Sequence, residues 1–168
     1  EIRVSKIRSL ENKVEKALKK LNMPDSKFKI NIVQNDSKKG IVLFNNRKLD
    51  ANIKGIDRVE FFISANPGEP VKPLTKIISG GEASRMMLAL KKVFQQTDPV
   101  NTLVFDEIDS GISGETANKV AKELADISKF KQVICITHLP QIAQKADHHL
   151  HITKTINKKN TSIKMKYL

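Results

Sequence analysis

Two short apolar runs, Thr102–Phe105 and residues 132–137, limit the architecture of this chain more than any other feature. Between them lies one helix-patterned stretch, residues 115–128, and each run is too short to be a buried helix itself. Apolar strands separated by a helix belong side by side in a parallel sheet, joined by a right-handed crossover. The first run stops abruptly at two acids, Asp106 and Glu107, which places both carboxylates at the carboxyl edge of that sheet. Open α/β folds bind their ligands at that edge. Consecutive strand side chains point to opposite faces, so the two acids should differ in role. Asp106 can hold Mg²⁺ directly or through water, and Glu107 can orient or deprotonate a water attacking a γ-phosphate. A solvated acidic strand end is the plain structural alternative.

Upstream, Ser79-Gly80-Gly81-Glu82 opens a helical stretch reaching about Gln96, with Met86, Met87, Leu88, Leu90, Val93 and Phe94 on its apolar face. Ser at the N-cap and Glu three residues later form a capping box, which by itself needs no function. The glycines add information. Each costs about 1 kcal/mol in a helix relative to Ala. Two missing Cβ atoms let a phosphate approach the N–H groups at the positive end of the helix dipole. Together with the acid pair this order of motifs points to nucleoside triphosphate chemistry, yet no G-x-x-x-x-G-K-[ST] phosphate loop occurs in the chain.

The remainder reads as follows. Ile7, Leu10, Val14, Ala17 and Leu21 mark a helix over residues 2–21, stopped by Asn22-Met23-Pro24-Asp25. Phe28, Ile30 and Ile32 alternate as a strand, residues 41–44 form another, and Val59, Phe61 and Ile63 a third, with Phe62 suggesting cover on both faces. Residues 66–73, with three prolines and a glycine, read as an irregular loop. A short helix is expected over 140–146 and strands over 149–154 and 162–167. His138 closes the second apolar run, where it could meet the γ-phosphate or the attacking water, or serve merely as hydrogen-bonded structure. The run Asp147-His148-His149-Leu150-His151 resembles a metal cluster, but neighbouring strand residues face opposite ways and zinc-site spacing is missing.

A net charge of +12 favours a polyanionic partner, DNA or nucleotide phosphate, while a lysine-rich solubilising surface explains it equally. With no Trp and 5% aromatic residues, stacking on single strands is disfavoured, and any DNA contact would be phosphate-directed and salt-sensitive. The single Cys135 excludes an internal disulfide, which fits a reducing cytoplasm. No apolar run approaches a membrane span and no secretory pattern opens the chain. The chain starts without Met and in mid-helix, the pattern expected of an excised piece.

These motifs resemble those of ATP-binding-cassette ATPases. Ser79-Gly80-Gly81-Glu82 is similar to the signature motif, and Thr102–Glu107 to the Walker B strand. Residues 109–114, with Asp109, Ser110, Gly111 and Ser113, resemble the D-loop, and Thr137-His138 the switch histidine. Transporter cassettes usually carry Gln where Glu82 stands. The closer resemblance is to the RecN family of bacterial double-strand-break repair proteins, relatives of the structural-maintenance-of-chromosomes (SMC) proteins. It rests on Asn66-Pro67-Gly68-Glu69-Pro70, Ser79-Gly80-Gly81-Glu82-Ala83-Ser84-Arg85, the stretch from Phe105 to Gly114, and Thr137-His138-Leu139-Pro140-Gln141-Ile142-Ala143.

That resemblance implies an α/β fold, the C-terminal lobe of an ATPase head with an antiparallel β section and a coiled-coil stub. Residues 1–22 would be the stub and 23–168 the lobe, mostly β over 23–73 and α/β over 74–168. It implies a phosphate-loop-bearing N-terminal half of the same head as a partner, and a homodimer of heads sandwiching ATP. Ser79, Gly80, Gly81 and Glu82 would cap the nucleotide of the opposite head, while Asp106 (with Mg²⁺), Glu107 and His138 serve their own. Ser113 stands where transporters carry an acid. The implied setting is cytoplasmic, nucleoid-associated DNA repair and recombination, with hydrolysis absent from this piece alone. Two other readings compete: another SMC-type or transporter head, and a non-catalytic DNA-binding or dimerisation module. The second would work through Arg3, Lys6, Arg8, Lys154, Lys158, Lys159, Lys164 and Lys166.

Overall fold

The computed structural model describes residues 2–76, 80–157 and 160–168. Helix α1 (Ile2–Lys20) is followed by strands β1 (Lys27–Gln34), β2 (Val42–Phe44), β3 (Arg47–Leu49), β4 (Asp57–Ser64) and β5 (Lys72–Pro73). Then come a 3₁₀ turn (Leu74–Lys76), α2 (Gly80–Val93), β6 (Thr102–Phe105), α3 (Gly114–Ser128), β7 (Gln132–Cys135), α4 (Pro140–Ala143), β8 (Leu150–Asn157) and β9 (Asn160–Tyr167). β6 and β7 pair in parallel through the α3 crossover, with Leu103 opposite Val133 and Phe105 opposite Cys135. The antiparallel section is a sheet of order β1-β4-β5 beside a β2-β3 hairpin, and β8-β9 forms a second hairpin.

Helix α2 is the centre of the molecule. Met86, Leu88, Ala89 and Leu90 are buried around it, so both flanks are covered. On one flank lie Val14, Leu18 and Leu21 of the α1 segment with Phe28 and Ile63; on the other lie Leu103, Phe105, Ile108, Val120, Leu124 and Ile127, all in one apolar cluster. Phe61 bridges Phe28 and Phe94, with ring centroids 5.4 and 6.5 Å away. Such pairs add to the area they bury.

α1 is also bonded to the sheet. Glu11 accepts the backbone N–H of Ile30 at 2.9 Å and the Lys29 ammonium at 3.2 Å, and Glu15 accepts the N–H of Phe28 at 3.0 Å. β1 is an edge strand, and these two carboxylates, one helical turn apart, take the N–H groups that would otherwise stand open.

One strand goes beyond the expectations and two expectations need correction. β3 was not expected, although Asn45 and Asn46 turn the chain into it: both adopt positive φ (50° and 59°), the two-residue turn that suits a hairpin twist. The proline loop contains β5, whose Pro73 pairs with Phe62; β5 is an edge strand, where a missing N–H is tolerated. The two parallel strands are covered on one face only. Leu103 and Phe105 are buried, whereas Val104 is 63% exposed and Ile134 and Ile136 stand open beside it. Thr102–Phe105 and its neighbour therefore alternate in burial despite their apolar sequence. No helix among the described residues is long and apolar enough to cross a membrane.

Candidate active-site edge

The chain leaves β6 at Phe105 and turns at once. Asp106 Oδ1 accepts the backbone N–H of Glu107 at 2.9 Å, and Glu107 takes a left-handed φ of 57°. That conformation is uncommon outside glycine. Glu107 is therefore not the next strand residue, as alternation predicted. The backbone reverses there and sends its side chain toward the start of α2. A Cβ placed on Gly80 would overlap Glu107 Oε2, so glycine at 80 is what allows this carboxylate its position. Both Asp106 and Glu107 are exposed.

The loop that follows is interlocked with its surroundings on two sides. Toward α2, Ser84 Oγ donates to the carbonyl of Asp106 at 2.7 Å. Arg85 Nη1 donates to the carbonyls of Ile108 at 3.2 Å and Ser110 at 2.9 Å. Gly81 lies so close that a Cβ there would be 2.7 Å from the Ser110 carbonyl oxygen and 2.9 Å from Ser110 Cβ. Arg85 is only 8% exposed, and this desolvation, partly offset by the charge of Glu82, lowers its pKa.

Toward β7, Asp109 is 3% exposed. Its Oδ2 accepts the Thr137 hydroxyl, the His138 backbone N–H at 2.9 Å, and lies 3.1 Å from His138 Nδ1. Burial pushes the Asp109 carboxyl up, but the Thr137 hydroxyl, the His138 N–H and the imidazole outweigh it and hold the pKa below the usual value. Cys135, on the neighbouring strand, has its thiol pushed up to about 11, first by burial and then by Asp109 and Asp106. It is no nucleophile at neutral pH.

The tertiary structure thus gathers Gly80, Gly81, Asp106, Glu107, Asp109, Ser110 and His138 around one sheet edge. Ser79 lies outside the described residues. Glu82 sits in the first turn of α2. Gly111 turns the chain at φ 71°, and Ser113 is the N-cap of α3, without a side-chain cap bond. His148 instead contacts the Tyr167 hydroxyl, and no group of three or more metal-ligating side chains occurs among the described residues.

Ser84 and Arg85 belong to the stretch that carries the resemblance, but the motifs assign them no role of their own. The signal was available: Gly81, Arg85 and Leu88 follow i, i+4, i+7 spacing, which puts a guanidinium on the buried stripe of α2.

The oxygen donors at this edge fit a hard cation on Asp106, whose Oδ1 is engaged by one N–H while the side chain remains open to solvent. A triphosphate finds only a partial cradle, the start of α2, because the chain holds no phosphate loop.

Residues 3–161 match the family model described as the RecF/RecN/SMC N terminal domain. The chain is 39% identical over 172 residues to the DNA repair protein RecN of Bacillus subtilis (strain 168), covering 100% of this chain and 30% of that relative. It is 47% identical over 150 residues to the DNA repair protein RecN of Treponema pallidum (strain Nichols), covering 89% of this chain and 25% of that relative. It thus spans less than a third of the length of these curated relatives. Among solved structures, the Smc head domain with a coiled coil and joint from Pyrococcus yayanosii superposes with a TM-score of 0.55 at 20% identity, covering 93% of this chain and 26% of that one.

Proposed function

Since the chain belongs to the RecF/RecN/SMC family and has the fold of an SMC-type ATPase head lobe, we propose that it is the C-terminal part of a split head. In this reading the head serves DNA double-strand-break repair and recombination in the cytoplasm at the nucleoid. The observation that carries it is the loop from Asp106 to Ser110, bonded to the start of α2 on one side and to Thr137 and His138 on the other. An N-terminal half would bring the phosphate loop, and the open apolar face of Val104, Ile134 and Ile136 is the surface such a half would cover.

Asp106 would hold Mg²⁺, which when bound neutralises phosphate charge. Glu107 is the general base: its carboxylate is exposed and forms no ion pair among the described residues, which leaves it open to a water. His138, anchored through Asp109, is positioned to contact the transferring phosphoryl group or the attacking water. Gly80, Gly81 and Glu82 begin α2, and together with Ser79 they would cap the γ-phosphate on a second head, making a homodimer that sandwiches ATP. Glu107 would leave Gly80 as that cap forms, because both claim the same approach to the helix start.

The test uses the full-length protein. Glu107→Gln should cut hydrolysis by about 10² or more while ATP binding and head dimerisation persist; unchanged hydrolysis rejects Glu107 as base. Ser79→Arg should bind ATP on one head yet fail to dimerise. The 168-residue chain alone should hydrolyse no ATP; magnesium-dependent turnover by it overturns the split-head reading.

A phosphate-directed DNA contact is supported by a separate feature. On β8-β9, His151 pairs with Lys166 and Thr153 with Lys164, forming one polar, basic face. Arg3 is less available, being ion-paired to Asp57 at 2.6 Å. A steep negative dependence of duplex binding on salt, reduced by charge removal at Lys164 and Lys166, is the expected outcome.

A further inference from the structure

Arg85 has no place in the reading above, yet it is the buried cation closest to the loop that carries it out. Its Nη1 reaches two successive turns of that loop, the carbonyls of Ile108 and Ser110, from the second turn of α2. Ile108 is fully buried, so the loop is anchored between an apolar plug and a guanidinium. A second, independent contact lies one turn earlier, where the bare Cα of Gly81 packs against the Ser110 carbonyl. From Ser110 the chain of contacts passes through Asp109 to the Thr137 hydroxyl and the His138 backbone. A continuous set of contacts therefore runs from α2, through Arg85 to Ile108 and Ser110 and through Ser84 to Asp106, and on by way of Asp109 to His138.

We propose that Arg85 is the positioning residue that makes the first turns of α2 and the loop from Asp106 to Ser110 one mechanical unit. The start of α2 faces one nucleotide and the loop faces the other. Arg85 then links the seating of ATP at the first to the placement of Glu107 at the second. This inference rests on the split-head reading. Both carbonyls that Arg85 reaches belong to the loop, so without the guanidinium they lose their buried donor from α2 and take up water, and the Ser84 bond to the Asp106 carbonyl is the side-chain tie that remains. The consequence falls on geometry at Glu107 rather than on nucleotide affinity. Displacement of a reacting group by about 1 Å costs on the order of 10²-fold in rate.

The test compares Arg85→Met, which keeps the bulk of the side chain without donors, with Arg85→Lys, whose ammonium can still donate to both carbonyls. Both are made in the full-length protein, beside Glu107→Gln. In Arg85→Met, kcat should fall about tenfold to 10²-fold with KM for ATP within about twofold. Arg85→Lys should recover most of kcat, and the Tm of the two variants should not account for the difference. Wild-type kcat in a folded Arg85→Met protein overturns the proposal, as does equal loss in both variants tracking a shared fall in Tm. If Glu107→Gln leaves hydrolysis unchanged, the head reading itself fails, whatever Arg85 does.

Discussion

The loop from Asp106 to Ser110 and the β8-β9 hairpin are opposites in construction. The loop has no regular structure and a left-handed residue, yet nearly every turn is tied to a neighbouring element. The hairpin has complete antiparallel pairing from Leu150 opposite Tyr167 to Asn157 opposite Asn160. Leu150, Ile152, Ile163, Met165 and Tyr167 share one exposed apolar face, with Ile163 70% exposed. Backbone regularity does not measure how firmly a segment is held. A two-stranded ribbon without a partner surface is marginal, while a short irregular loop can be fixed by buried polar bonds.

The sharpest way to break this contrast is Asp109→Ala. It leaves the Thr137 hydroxyl and the His138 N–H without their shared acceptor, and should cost about 2–3 kcal/mol in urea unfolding. A loss under about 0.5 kcal/mol would mean the loop is held otherwise. Next in size, Gly81→Ala forces a methyl against the Ser110 carbonyl and should cost about 1–3 kcal/mol. Ala at 81 with unchanged stability would show the loop can yield.

Asp109 also predicts a pH response. Its folded pKa lies below the ordinary aspartate value of 3.8, so the unfolded chain binds its proton first as pH falls. The stability it contributes is present above about pH 3.8 and is lost as pH drops through the lower folded value. Unfolding measured between pH 5 and about pH 2 should show this fall in the parent and a shallower one in Asp109→Ala. Smallest of all, Ile152→Thr on the open hairpin face should change stability by less than about 0.5 kcal/mol. A loss above about 1 kcal/mol would show that this face is covered in solution.

Much of the chain was legible because local and global signals agreed. The period of α1, the α3 crossover between β6 and β7, and the two late strands all follow from apolar spacing and breakers. Where they disagreed, the pattern misled. An apolar Val104 reads as buried, but burial needs a partner layer and this chain supplies one for a single face. Pro73 reads as a breaker, but an edge strand does not need its N–H. Asn45-Asn46 was readable as a turn, and with it β3.

The sequence by itself determined the order of the motifs, the two acids at the end of β6, the paired glycines at the start of α2 and the lack of a phosphate loop. Composition and spacing settle those, because they depend on residues close along the chain. Only the tertiary structure decided that Glu107 turns back over Gly80, that Asp109 anchors His138, and that Arg85 binds the loop to α2. The bonds of Asp109 and Arg85 span more than twenty residues of sequence. Their geometry exists only once the apolar cluster has brought α2, β6 and β7 together and excluded water from the bonds between them.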